Sequence, residues 1–146
     1  MSARKERDRA RVALLHVADR TGVVEFAHSL IGLGFELVAT GPTATALRHA
    51  GAPHKTVSEF VGERLPADAL GLLHPKLISA LTDDKPRLDM VAVNLYPLSS
   101  ATSDPALTQD EVLAYVEPVG PALLRAAARN FKQVIALCDP ADYKQA

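Results

Sequence analysis

The sequence predicts an α/β fold, a three-layer sandwich in which helices cover both faces of a mainly parallel central sheet. Two observations carry that expectation. Short apolar runs without polar alternation recur along the chain, as strands buried on both faces require. Segments with helical spacing of apolar residues fall between them, which is the order of a parallel α/β sheet.

The elements follow in order. Val12–Val17 is a short apolar run and reads as a buried strand. Asp19-Arg20-Thr21-Gly22 turns the chain, and Val23, Phe26, Ala27, Leu30 and Ile31 then recur at helical spacing until Gly34 supplies a stop. Phe35–Ala39 reads as a second strand. Thr40-Gly41-Pro42 opens a second helix, with Pro42 suited to the first helical turn and Gly51 ending it. Lys55–Ser58 reads as a third, short strand, and residues 60–72 as a loop. Pro75–Leu81 is expected to be a short helix and Asp89–Asn94 a strand closed by Tyr96-Pro97. Thr108-Gln109-Asp110-Glu111 has the pattern of a capping box before a helix that runs to about Tyr115. Gly120–Asn130 is an Ala-rich helix, Gln133–Cys138 a last strand, and Asp139 the cap of a further helix. The chain stops soon afterwards, which reads as a trimmed or shortened chain.

At 146 residues the chain is long enough for one domain. No apolar run approaches the ~18 residues of a membrane span, and the charged N-terminus does not resemble a signal peptide, so a cytoplasmic location is expected. Residues 1–11 hold five basic and two acidic residues and read as a flexible charged tail, with the domain over 12–146. The rest of the chain is acidic overall and only 5% of all residues are aromatic, which argues against nucleic acid as a partner. The single cysteine, Cys138, excludes an intrachain disulfide and, in its apolar surroundings, reads as a buried structural thiol.

Two strand-to-helix junctions carry small polar residues. Thr21-Gly22 and Thr40-Gly41-Pro42-Thr43 would present amides and hydroxyls at positive helix ends, which suits a phosphate. Arg20 would add a cation. The same residues also serve as ordinary helix caps, and Pro42 has no amide to donate.

Longer segments carry a resemblance. They are Ala18-Asp19-Arg20-Thr21-Gly22, Val38-Ala39-Thr40-Gly41, Leu73-His74-Pro75-Lys76, Asn94-Leu95-Tyr96-Pro97, Gly120–Asn130 and Asp139-Pro140-Ala141-Asp142-Tyr143. Together they make residues 11–146 similar to the IMP cyclohydrolase domain, the N-terminal half of the bifunctional enzyme that closes the purine ring. The resemblance implies a methylglyoxal-synthase-like sandwich, a homodimer, and no metal or redox cofactor. It also implies a formylated aminoimidazole carboxamide ribonucleotide as substrate. No transformylase half follows, so the chain resembles a diverged, stand-alone relative from which formyl transfer is not expected.

Carried over by position, Asp19, Arg20, Thr21, Gly22, Thr40, Gly41 and Thr43 fall in the family's phosphate-binding loops. Asn94 and Tyr96 fall at its base-binding and catalytic wall. Glu117 stands at a family Asp and Arg129 at a family Lys. On that reading Tyr96 and Arg129 polarise a carbonyl, while Glu117 or His74 moves protons. Each has a structural reading beside it. Tyr96 ends a strand, His74 hydrogen-bonds within a loop, Arg129 pairs with a helix dipole, and Glu117 is a solvated loop carboxylate. His16, between Leu15 and Val17, reads as a hydrogen-bonded core residue before it reads as a base.

The departures are chemical. The family's Gly-Arg-Val-Lys-Thr-Leu-His-Pro stretch is here Asp68–Pro75, which puts Ala69, Gly71 and Leu72 where the family has Arg, Lys and Thr. Two cations and a hydroxyl leave one wall unless His16, His74 or Lys76 substitutes. The expected function is therefore a diverged cyclohydrolase-like enzyme, closing a ring with loss of water, or the reverse, on a phosphoribosylated, nucleotide-like small molecule. The alternatives are a non-catalytic nucleotide-binding or regulatory module on the same fold, and an authentic IMP cyclohydrolase.

Overall fold

The computed structural model describes residues 9–66, 69–85 and 87–146. Among them four strands form one parallel sheet: β1 (Arg11–Val17), β2 (Phe35–Ala39), β3 (Met90–Asn94) and β4 (Ile135–Leu137), in the order β2-β1-β3-β4. β1 pairs with β2 from Arg11↔Phe35 to Leu15↔Ala39, and with β3 from Ala13↔Met90 to Val17↔Asn94.

The two faces follow from the alternation of side chains along each strand. Ala13, Leu15, Val17, Leu37 and Ala92 pack against α1 (Val23–Gly32) and α2 (Gly41–His49). Leu14, Val38, Val91 and Val93 pack on the other side. They meet α3 (Val57–Val61), α4 (Pro75–Thr82) and α7 (Val119–Arg129), together with Leu72 from the 3₁₀ helix Ala69–Leu73. These are the three layers that the sequence pattern predicts. α1 ends where Gly34 adopts φ +83°, a left-handed conformation that any side chain would strain. Two short helices, α5 (Leu98–Thr102) and α6 (Gln109–Leu113), lie between β3 and α7. The capping box expected at Thr108 is present, with Glu111 accepting from the Thr108 amide at 2.7 Å.

Several expectations are corrected. Residues 55–58 are not a strand. Only Lys55 bridges Val38, after which Thr56 and Glu59 form a second capping box and start α3. The segment 60–72 is not wholly loop, since it holds the end of α3 and most of the 3₁₀ helix. The ordered body begins before residue 12. Arg11 opens β1, and Arg9 pairs with Asp89 at 2.8 Å while Asp89 also accepts from the Val12 amide. The remainder of the expected tail, residues 1–8, lies outside the described residues. Cys138 is exposed, because β4 is a three-residue edge strand whose Ile135 and Ala136 are uncovered as well. α5 has no counterpart in the sequence reading. The helix expected after Asp139 is a 3₁₀ helix over Pro140–Lys144. No helix among the described residues is long and apolar enough to cross a membrane.

Candidate functional site

The carboxyl ends of β1 and β3 lie side by side where the crossover after β1 runs to β2 and the crossover after β3 runs the other way to β4, the place where open parallel sheets hold ligands. Asn94, the last residue of β3, fastens the loop after β1. Its Oδ1 accepts from the Asp19 amide and its Nδ2 donates to the Asp19 carbonyl, both at 2.8 Å. Asp19 in turn accepts from the Thr21 hydroxyl at 2.7 Å and the Thr21 amide at 2.9 Å. Those two bonds hold its carboxyl below the ordinary range, the hydroxyl contributing most. Gly22 completes the turn with φ +69°, and Tyr143, stacked on Phe26 at 4.2 Å, closes over it. Arg20 is exposed at the tip of the turn.

Thr43 is 1% exposed. β2 stops at Ala39, so Val17 has no strand partner on that side of β1. The Thr43 hydroxyl replaces the missing strand, accepting from the Val17 amide and donating to its carbonyl, both at 3.1 Å. Thr40, the N-cap residue of α2, makes no capping bond. Its Oγ1 lies instead 2.6 Å from His16 Nδ1.

His16 is on the α3–α4–α7 face at the end of β1, and its Nε2 lies 4.0 Å from Glu117 Oε2. Burial pushes its pKa below the ordinary value, an effect that the Glu117 charge partly opposes. Glu117 does more than face His16. Its two oxygens accept from the Val119 and Gly120 amides at 2.8 and 2.9 Å, which caps α7. Gly120 leaves room for this arrangement, since a Cβ there would stand 2.9 Å from Glu117 Oε2 and 2.5 Å from Leu95 Cδ2.

Beside His16 opens a cavity of about 690 Å³, within the range of small-molecule pockets. Its walls are the end of β2 with Thr40 and Gly41, the α2 stripe of Ala44 and Arg48, the start of α3, and the segment Arg64–Pro66 against Gly71 and Leu72. Of the residues expected in the site, Thr40 and Gly41 line it. Asp19, Arg20, Thr21, Gly22, Thr43 and Asn94 are not among its lining residues. His16, expected first in the core and only then as a base, lines the cavity too, and so do Arg48 and Arg64, which the sequence reading does not place in the site. Arg48 has a signal, being seven residues after Gly41 on one helical face, whereas Arg64 has none.

Three expected catalytic residues are not brought to this cavity. Tyr96 is 51% exposed and its ring rests on Tyr115 at 4.6 Å. His74 caps α4, its Nδ1 accepting from the Lys76 amide at 3.2 Å while Nε2 faces Glu63 at 3.3 Å. Lys76 pairs with the same Glu63, whose carboxyl is held below its usual range chiefly by the hydrogen bond from Lys76. Neither is among the residues that line the cavity. Arg129 ends α7, ten residues after Val119, which places it roughly 15 Å along the axis from the Glu117 end. Among the described residues no group of three or more His, Cys, Asp or Glu is placed to hold a metal ion.

Comparison with known proteins decides the family. A family model described as MGS-like domain matches residues 22–116. The chain belongs to the MGS-like domain family. This MGS-like domain is 35% identical over 147 residues to the bifunctional purine biosynthesis protein PurH of Staphylococcus carnosus, a match that covers 90% of this chain and 30% of that protein. It is 40% identical over 146 residues to PurH of Chloroflexus aurantiacus, covering 90% of this chain and 28% of that one. The domain thus spans about 30% of the length of these relatives. The crystal structure of ForH matches with a TM-score of 0.79 at 29% identity, over 92% of this chain and 75% of that chain.

Gly71, where the resemblance read from the sequence expects a Lys, is closely surrounded. A Cβ at Gly71 would lie 2.9 Å from the Pro66 carbonyl and 3.4 Å from Leu65 Cβ. Leu65 and Pro66 occupy the space that a longer side chain there would need. Leu72, where the same resemblance expects a Thr, is buried in the core.

Proposed function

We propose that this MGS-like domain is a diverged cyclohydrolase-type enzyme that closes, or hydrolytically opens, a ring in a phosphoribosylated heterocycle. The observation that carries the proposal is His16, a partly buried imidazole between the Thr40 hydroxyl and the Glu117 carboxylate, at the wall of a ligand-sized cavity.

The reaction needs a carboxamide nitrogen to attack a formyl carbon. The new C–N bond forms as the amide proton leaves, and the formyl oxygen gains a proton to become a hydroxyl. That hydroxyl then departs as water, while the formamide nitrogen loses its proton and forms the C=N bond. With Nδ1–H donated to Thr40, neutral His16 has its Nε2 lone pair available for the first proton. The resulting imidazolium faces Glu117 and is the acid for the departing oxygen. The Gly41 amide, at the start of α2 where helix amides lack internal partners, supports an anionic group of the ligand. Holding both reacting groups in one cavity supplies the orientation that such an intramolecular attack requires.

A second reading, a nucleotide-binding module without catalysis, is favoured by the closed wall at Gly71 and Leu72. Purified protein with the formylated carboxamide ribonucleotide separates the two, with absorbance following ring closure and calorimetry following binding. Turnover above the uncatalysed rate supports the enzyme. Saturable binding without turnover supports the module or a changed substrate, and absence of both removes the nucleotide reading.

We further propose that the domain is a homodimer. Leu95, Tyr96, Leu98, Leu113 and Val116 are all exposed between β3 and α7, and an interface there would cover them. Light scattering at micromolar concentration is expected to give twice the chain mass. A monomer mass would remove the proposal.

A further inference from the structure

The charge of the cavity goes beyond what ring closure requires. Among the described residues its lining includes two guanidinium groups, Arg48 and Arg64, and no carboxylate. Among the described residues neither arginine has a hydrogen-bond or ion-pair partner. Unpaired like charges at one opening repel each other and attract anions.

Their placement is built by the fold. Gly41, Ala44 and Arg48 form one stripe along α2, so the backbone of Arg48 lies about 10 Å along the axis from the Gly41 amide. Arg64 comes from across the cavity, on a segment that is fastened next to it. The Leu65 amide donates to Ser58 Oγ at 3.1 Å, and Pro66 closes on Gly71. The same packing that excludes a side chain at Gly71 therefore carries Arg64 to the cavity wall. Positive charge has left positions 69 and 71 and returns from another direction.

We propose that Arg48 and Arg64 form a second anion-binding end of the cavity, which selects phosphorylated ligands bearing a further anionic group, carboxylate or phosphoryl, remote from the first phosphate. This rests on the nucleotide reading above. A guanidinium fork matches either group, with two parallel N–H···O bonds.

Two matched pairs of probes test it by calorimetry. The first is 5-aminoimidazole-4-carboxamide ribonucleotide against its 4-carboxylate counterpart. The second is adenosine 5′-monophosphate against adenosine 3′,5′-bisphosphate. In at least one pair the more anionic member is expected to bind tenfold or more tightly, and the pair that shows this identifies carboxylate or phosphoryl as the group read. In a folded Arg48→Gln, Arg64→Gln double variant, the members of that pair should bind within about threefold of each other. Equal binding within both pairs by the unaltered protein overturns the second anion site and leaves the nucleotide reading standing. A preference that survives in the double variant overturns the assignment to these arginines. Binding of none of the four overturns the nucleotide reading and this proposal together.

Discussion

A His16→Gln protein is expected to turn over the ring-closing substrate about 10²–10⁴-fold more slowly, the range typical of a lost general acid–base group. Glutamine retains a polar end for Thr40 but cannot hold the proton. The pH profile distinguishes this role from a structural one. His16 works as a base when neutral, and burial places its pKa below 6.5. Turnover of the unaltered protein should therefore rise with pH through a step below 6.5 and stay flat at neutral pH. The variant should lack that step. Stability follows the same sign. An imidazole whose folded pKa is depressed binds fewer protons than in the unfolded chain. Its contribution is complete above pH 6.5 and declines as the pH falls below it. Urea midpoints of the two proteins should thus diverge on acidification. Equal turnover and equal pH profiles would remove His16 from the mechanism.

A Thr43→Val protein is expected to lose about 1–3 kcal/mol of stability, because the hydroxyl is the partner of both the Val17 amide and the Val17 carbonyl. Valine has nearly the same shape, so the loss isolates the hydrogen bonds from packing. Thr43→Ser, which keeps the hydroxyl, should recover most of the midpoint in a denaturant titration. If valine left the midpoint unchanged, the sheet-completing role of Thr43 would be wrong, and a direct role toward ligand would return.

Much of the fold is legible because buried parallel strands are continuous apolar runs. Val12–Val17, Phe35–Ala39 and the run ending at Asn94 stand out for that reason. The same criterion misreads Cys138. An edge strand looks apolar in sequence but has only one neighbour, and β4 is too short for helices to cover both its sides. The stretch Lys55–Ser58 reads as a short strand, although Thr56 and Glu59 already have the spacing of a capping box. The local bonds of that box start a helix before a strand can extend.

The site is legible in part. Thr40 and Gly41 belong to a junction whose chemistry is local and can be seen in sequence. His16 reads as a core residue because it stands on a strand between Leu15 and Val17, and in the structure it shares the face of Val12 and Leu14. What alternation cannot reveal is that the sheet ends there, so that the last side chain on the face meets a cavity. Arg64 depends on how an irregular segment returns to Gly71, and no periodicity encodes that. Thr43, Asn94 and Asp19 are expected as ligand contacts from the family resemblance, and in the structure their side chains hydrogen-bond to backbone.

The clasp between Asn94 and Asp19 has a consequence for how fast and how favourably a ligand is received. The loop after the central strand is ordered by the sheet itself, through bonds present before any ligand arrives. Association then requires little freezing of main-chain motion, so a smaller share of the interaction energy is lost as conformational entropy. Mixing experiments should accordingly show a single fast phase without a slow rearrangement. Weakening the clasp would appear as a more negative entropy of binding even where every ligand-contacting side chain is retained.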